Sequence, residues 1–178
     1  MRRKRFIILT ISVFVVLILG LFILSEKKAL DDVSFSYAVL DRNGEIIRVF
    51  LSVDEKYRIR QELSDFPSQF IELILLKEDQ YFYAHPGINP AALFKAAWAS
   101  YVVRERRIGA STITMQLARL KYGLFTRTIP GKIKQIISAF YLEIKYSKQE
   151  ILEAYLNLAP CGGNIEGFPA AAYYYFHK

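Results

Sequence analysis

Lys77-Glu78-Asp79-Gln80-Tyr81-Phe82-Tyr83-Ala84-His85-Pro86-Gly87, KEDQYFYAHPG, closes one apolar run and opens a turn. Just upstream, Phe70, Ile71, Leu73, Ile74 and Leu75 fill a wide face at helical spacing, behind a Pro67 suited to a first turn. The spacing predicts a helix that ends near Glu78. A helix carboxyl end disfavours negative charge, and Asp79 adds a like-charged neighbour, so the pair suits a proton acceptor at Glu78. The plain alternative is a solvated helix end. His85 alone reads as a hydrogen-bonded structural histidine, and no His/Cys/carboxylate spacing around it resembles a metal site. Tyr81, Phe82 and Tyr83 read as core.

Downstream, the pattern stays helical. Pro90 to Val103 forms a helix candidate that is apolar on most sides, unusual for a surface helix. Ser111 to Leu120 and Lys132 to Tyr146 are helical in composition, joined by a loop that contains Gly123 and ends at Pro130-Gly131. Ser147-Lys148-Gln149-Glu150 has the capping-box form and opens a helix through Leu156. Gly162-Gly163-Asn164 marks a turn, and Pro169 to Phe176 starts a further helix. Upstream, Phe35 to Leu40 and Glu45 to Leu51 flank Asp41-Arg42-Asn43-Gly44, where Asn-Gly predicts a hairpin because both turn positions tolerate positive φ. The fold class is mainly α with a short β-hairpin.

The amino terminus is of another kind. Phe6 to Leu24 is a run of 19 residues without a charge, and about 20 apolar residues span a bilayer core. Arg2, Arg3, Lys4 and Arg5 precede it, which predicts a transmembrane signal-anchor with a cytoplasmic start and an outward-facing body. A cleaved signal peptide fits less well, because Leu24-Ser25-Glu26-Lys27-Lys28 is not a small-x-small site. The expected division is a basic segment at 1–5, an anchor at 6–24, a polar juxtamembrane linker and hairpin at 25–66, and a helical domain at 67–178. Cys161 is the single cysteine, so no internal disulfide staples the body.

Charge is polarised within a formal net of +7. Residues 29–90 carry eleven acidic and six basic side chains, whereas residues 104–134 carry eight basic ones against Glu105 alone. A basic segment suits nucleic acid, anionic lipid or a phosphorylated ligand. On the outer side of a membrane nucleic acid drops out, and lipid head groups or a lipid-linked phosphate remain beside a plain solvated face. Within this segment Ser111, Thr112 and Gln116 gather hydroxyls and an amide at a helix start, a place suited to an anion. An N-cap at Ser111 would explain the serine with no ligand. Gln116 and Arg119 are i, i+3 neighbours, as are Lys132 and Gln135.

Taken together, the motifs resemble the peptidoglycan glycosyltransferase domain, glycosyltransferase family 51, of class A penicillin-binding proteins and monofunctional transglycosylases. The resemblance runs from about Val39 to Lys178. It rests on Glu78-Asp79-x-x-Phe82-x-x-His85-x-Gly87, on Gly109-x-Ser111-Thr112-Ile113-x-x-Gln116, and on Ser147-Lys148-Gln149-Glu150-Ile151-Leu152-Glu153-Ala154-Tyr155-Leu156-Asn157. Gly167, Ala171, Ala172, Tyr175 and Phe176 match the block that follows, and HPGINPAALFKAAW, STITMQLARL and LNLAPCGGNIEG are similar to the penicillin-binding protein 1C branch.

The resemblance implies a lysozyme-like fold and polymerisation of lipid II into glycan strands at the outer face of a bacterial cytoplasmic membrane. It makes Glu78 the catalytic base. Asp79 and Gln135 become supporting groups, and Ser111, Thr112, Gln116, Arg119, Lys132 and Lys134 become ligands of a departing undecaprenyl pyrophosphate. The residues themselves require no cofactor; the family implies Mg or Mn. One motif departs: where the family reads Arg-Lys-x-x-Glu, this chain has Gly131, Lys132, Ile133, Lys134 and Gln135, so the second acid is an amide. The family domain continues past the position of Lys178, so the chain reads as its amino-terminal portion. Two rivals are a lysozyme-like murein hydrolase and an inactive, membrane-anchored binding protein.

Overall fold

The computed structural model describes residues 28–90 and 111–177. The expected anchor at Phe6 to Leu24 and the greasy helix after Pro90 lie outside the described residues. Among the described residues no helix is long and apolar enough to cross a membrane.

The chain enters through Ala29 and Leu30, both buried. The end of the expected polar linker is therefore part of the core, because Lys121 donates to the Ala29 carbonyl at 2.8 Å and pairs with Asp32. Strands β1 (Ala38–Leu40) and β2 (Ile46–Val49) form the hairpin, antiparallel with Ala38 opposite Val49 and Leu40 opposite Ile46. They are shorter than the sequence spacing suggests. At the turn only Gly44 takes positive φ, +85°, while Asn43 does not. The carboxylate of Asp41 accounts for this: it accepts the backbone N–H groups of Asn43 at 2.7 Å and Glu45 at 2.8 Å, holding the turn in another geometry.

The hairpin segment is stitched to the far end of the chain. Buried Arg58 donates to Glu166 at 2.8 Å, to Asp54 at 2.8 Å and to the Ser34 carbonyl at 2.9 Å. The guanidinium in turn holds the Asp54 carboxyl below its ordinary value. Asn157, fully buried, accepts the Gln61 N–H at 2.9 Å and donates back to the Gln61 carbonyl at 2.8 Å, so a side chain completes the backbone bonding of that extended stretch.

Among the described residues five helices follow: α1 (Ser68–Glu78), α2 (Ile113–Lys121), α3 (Ile129–Lys145), α4 (Lys148–Leu158) and α5 (Phe168–Phe176). Single 3-10 turns lie at Leu63–Asp65 and Phe82–Ala84, and a second small ribbon, β3 (Pro160–Gly162) with β4 (Ile165–Glu166), precedes α5. Helix α4 is the axis of the body. Ile151, Leu152, Ala154, Tyr155, Leu156, Asn157 and Leu158 are all buried, so its apolar residues beyond the first turn lie in the core, with Asn157 accepted there through its bonds to Gln61. Its capping box is present in full, Ser147 and Glu150 exchanging bonds between side chain and backbone. Against it pack Ile113, Met115, Leu117 and Ala118 of α2 and Ala139 and Leu142 of α3. This mainly helical body with a short two-stranded hairpin fits the lysozyme-like domain that the resemblance implies.

Two boundaries differ from the expected ones. Helix α3 begins at Ile129, so Pro130-Gly131 lies in its first turn instead of ending a loop: Thr128 caps it by accepting the Gly131 N–H, and proline needs no partner there. The cap of α2 is Thr112, not Ser111, accepting from Met115 N–H. Of the three aromatics after Asp79 only Phe82 is core; Tyr81 and Tyr83 are exposed.

Candidate active site

Helix α1 stops at Glu78, and the extended turn that follows sends the two adjacent acids in opposite directions. Asp79 turns inward and is buried. Its carboxylate accepts the N–H of Ile113, at the start of α2, at 3.0 Å, and lies 2.9 and 3.1 Å from His85 Nε2. A carboxylate at a helix amino end meets the positive pole of the dipole and satisfies a free backbone donor. His85 is thus the structural histidine the sequence suggests, with Nε2 the nitrogen aimed at Asp79.

Beneath this turn a second cluster holds the loop. Thr114 donates to Glu143 at 2.6 Å, and Lys148 donates to Glu143 at 2.8 Å and to the His85 carbonyl at 2.7 Å, its ammonium lying 4.5 Å from the Phe82 ring centre. Gly87 closes against the same place: its φ is +80°, and a Cβ there would stand 2.7 Å from Glu143 Cγ. The Phe-x-x-His-x-Gly spacing is therefore packing around Asp79.

Glu78 turns the other way, into a cleft of about 310 Å3 lined by Lys77, Glu78, Ser111, Gln116, Arg119, Thr126 and Gln135. Gln116 donates its amide to Glu78 Oε2 at 2.9 Å, and Tyr155 lies 3.5 Å from Gln116 Oε1. Burial, reinforced by the charge of Glu78, pushes the Tyr155 phenol far up, so it keeps its proton and points a donor at that amide oxygen. Behind two of the lining residues, Lys132 donates to Ser111 Oγ at 2.8 Å and to Gln135 Oε1 at 2.9 Å, while Gln135 Nε2 donates to the Met115 carbonyl at 2.7 Å. Burial, then the nearby charge of Arg119, lowers the Lys132 pKa below 10.5.

Of the residues singled out in the sequence, Glu78, Ser111, Gln116, Arg119 and Gln135 meet at one cleft, with Lys132 bonded to two of them. Three do not meet there. Thr112 is buried, capping α2 and donating to the Gly87 carbonyl at 2.5 Å. Lys134 is exposed on α3 and lines no part of the cleft, and Asp79 is a clamp between α1 and α2. Lys77, Thr126 and Tyr155 were missed; adjacency to Glu78 pointed to the first, but the others need the folded chain. Both Asp79 oxygens already have protein partners, His85 Nε2 and the Ile113 N–H, and among the described residues no group of three His, Cys, Asp or Glu stands together to hold an ion.

A second cavity, about 390 Å3 and lined in part by residues 32–34, Val53, Asp54, Arg58, Glu166 and the end of α2, is a different matter. Its charges answer one another, Arg58 with Asp54 and Glu166, and Lys121 with Asp32, so none is left to engage a ligand.

Gly131 gives the departure in the third motif a physical cause. A Cβ at this position would come 1.9 Å from the Phe125 carbonyl oxygen, so the loop before α3 occupies the space a side chain would need.

Comparison with known proteins gives a consistent result. The transglycosylase family model matches residues 43–178. Penicillin-binding protein 1C of Escherichia coli (strain K12) is 36% identical over 149 residues, covering 84% of this chain and 19% of that protein. Penicillin-binding protein 1F of Bacillus subtilis (strain 168) is 33% identical over 179 residues, covering 97% of this chain and 24% of that one. Penicillin-binding protein 1A of Vibrio cholerae is 39% identical over 140 residues, with 79% and 17% covered. The chain spans between 17% and 24% of the length of these three relatives.

Proposed function

The chain belongs to the transglycosylase family, and from that premise we propose that it is a peptidoglycan glycosyltransferase of cell-wall synthesis that joins lipid II units into glycan strands. One observation carries the reading. Glu78 is the sole carboxylate lining the cleft among the described residues, and it shares that cleft with Lys77, Arg119 and the Lys132–Ser111 pair.

In this reading Glu78 takes the proton of the acceptor's 4-hydroxyl as its oxygen attacks the anomeric carbon of the lipid-linked donor. The bond from that carbon to the phosphate oxygen breaks, and its electron pair leaves with undecaprenyl pyrophosphate. Attack from the opposite face inverts the configuration. Gln116 fixes the direction of Glu78, and Tyr155 fixes Gln116. A pyrophosphate leaving group asks for charge stabilisation more than for a proton, which is the work of Arg119, Lys132 and Ser111. No second acid is needed for that step, so an amide at 135 is compatible with it. The body sits on the outer side of the cytoplasmic membrane, tethered by the run at Phe6 to Leu24.

The test is polymer formation from lipid II by the full chain and by Glu78→Gln. The expected loss is roughly 10²–10⁴-fold, the usual contribution of a general base. Undiminished polymer from the variant would remove Glu78 from the mechanism. Release of sugar fragments from intact murein without lipid II would support a hydrolase instead, and lipid II binding with no turnover would support a binding protein.

A further inference from the structure

Gln135 is a buried amide with both ends used. Only 2% of it is exposed; it donates to the Met115 carbonyl at 2.7 Å and accepts from Lys132 at 2.9 Å. A carboxylate could not make both contacts. One oxygen would pair with Lys132, but the other would face the Met115 carbonyl, acceptor against acceptor, at hydrogen-bond distance. The amide therefore suits the site in a way that an ionised glutamate does not.

The consequence falls on Lys132. Its two partners, Ser111 Oγ and Gln135 Oε1, are both neutral, and among the described residues no carboxylate forms an ion pair with it. Among the described residues its charged neighbour is Arg119, of like sign, and the one acid lining the cleft, Glu78, is engaged by Gln116. A half-buried cation held by neutral groups is complementary to an anion.

We propose that Gln135 is a positioning residue for phosphate binding: it holds Lys132 through a neutral amide and so leaves the ammonium charge uncompensated for the phosphate-bearing end of the donor. This rests on the reading of the cleft as a glycosyl-transfer site. With a neutral amide at 135, the counter-ion of Lys132 comes from the ligand.

Inorganic pyrophosphate is the probe, titrated calorimetrically into the full chain and into Lys132→Met, Gln135→Glu and Gln135→Met, with circular dichroism to compare folding. Wild type binds and Lys132→Met loses most of that affinity. Gln135→Glu weakens it on the order of tenfold to a hundredfold at neutral pH, as an added negative charge beside the cation requires. The deficit, expressed relative to wild type at the same pH, closes on acidification as the new carboxyl takes up a proton. The other titratable groups about the cleft, Lys132 of α3, Arg119 of α2, Lys77 and Glu78 of α1 and Tyr155 of α4, are present in both proteins, so the carboxyl at 135 is the one titratable group by which they differ. Gln135→Met, neutral but without the two bonds, falls less than Gln135→Glu. If Gln135→Glu matches wild type at every pH, or is weakened equally at every pH, the role of Gln135 is overturned while the phosphate site stands on Lys132→Met. If wild type and Lys132→Met bind alike, both readings fall.

Discussion

Gln116 donates its side-chain amide to Glu78 Oε2 at 2.9 Å, joining the end of α1 to the second turn of α2 across 38 positions of sequence. Among the described residues the Glu78 side chain makes no other hydrogen bond, so this contact sets its direction. Gln116→Leu removes the donor but little volume. Turnover is expected to fall by up to roughly a hundredfold with little change in KM, since displacing a reacting group by about 1 Å costs that much. Gln116→Glu should be worse, because it places a like charge at the same spot; steady-state kinetics on lipid II for both variants decides the matter.

Asp79 offers the contrasting prediction. Asp79→Ala strands the Ile113 N–H and removes the partner of His85 in a buried place. The expected cost is about 2–4 kcal/mol of stability, read from denaturant melts. Any loss of turnover should follow the lost folded fraction and the loosened α1–α2 joint, with no separate chemical signature.

Gly131→Arg restores the family's residue to its motif but not its geometry. The first side-chain carbon would collide with the Phe125 carbonyl, and only a shift of the loop could relieve it. Thermal melts should show a loss of about 1–3 kcal/mol or more, and activity should fall, because Thr126 of the same loop lines the cleft. A variant as stable as wild type would show that the loop is free to move.

Lys132 predicts an alkaline limit. Its pKa lies below 10.5 because of burial and Arg119, so the cation is lost at lower pH than for an ordinary lysine. The profile of kcat/KM, which reports the free protein, should fall as pH rises through that lowered value, and Lys132→Arg should move the limb upward. Stability runs in the opposite sense. Between the lowered folded value and 10.5 the unfolded chain binds more protons, so the fold gains stability as pH rises through this window, and the penalty for burying the charge is fully present below it.

Much of this arrangement was legible in the chain. Apolar spacing gave α1 its end at Glu78, the capping box gave α4 its start, and Gln116 and Arg119 at i, i+3 do line one cleft. The misses share a cause, which is that local signals compete until distant contacts decide. Pro130-Gly131 is equally a loop end or a first helical turn, and the Thr128 cap settles it. Ser111 is the better cap in isolation and Thr112 a serviceable one; Lys132 bonds to the serine and the helix takes the threonine. Likewise, the helix end and the resemblance single out Glu78, but no local signal says where Asp79 turns. The answer lies in Ile113, 34 residues away from Asp79, whose N–H waits for that carboxylate.

That clamp has a mechanical meaning. Through Asp79 the last turn of α1 and the first turn of α2 share a common origin, and Gln116 stands one turn along from it. If α2 rotates, the residue that aims the base and the base itself are carried together, like two jaws milled on one block. A fault in the joint would then leave every reacting group present and correctly charged, and would register only as a widened spread of distances between them.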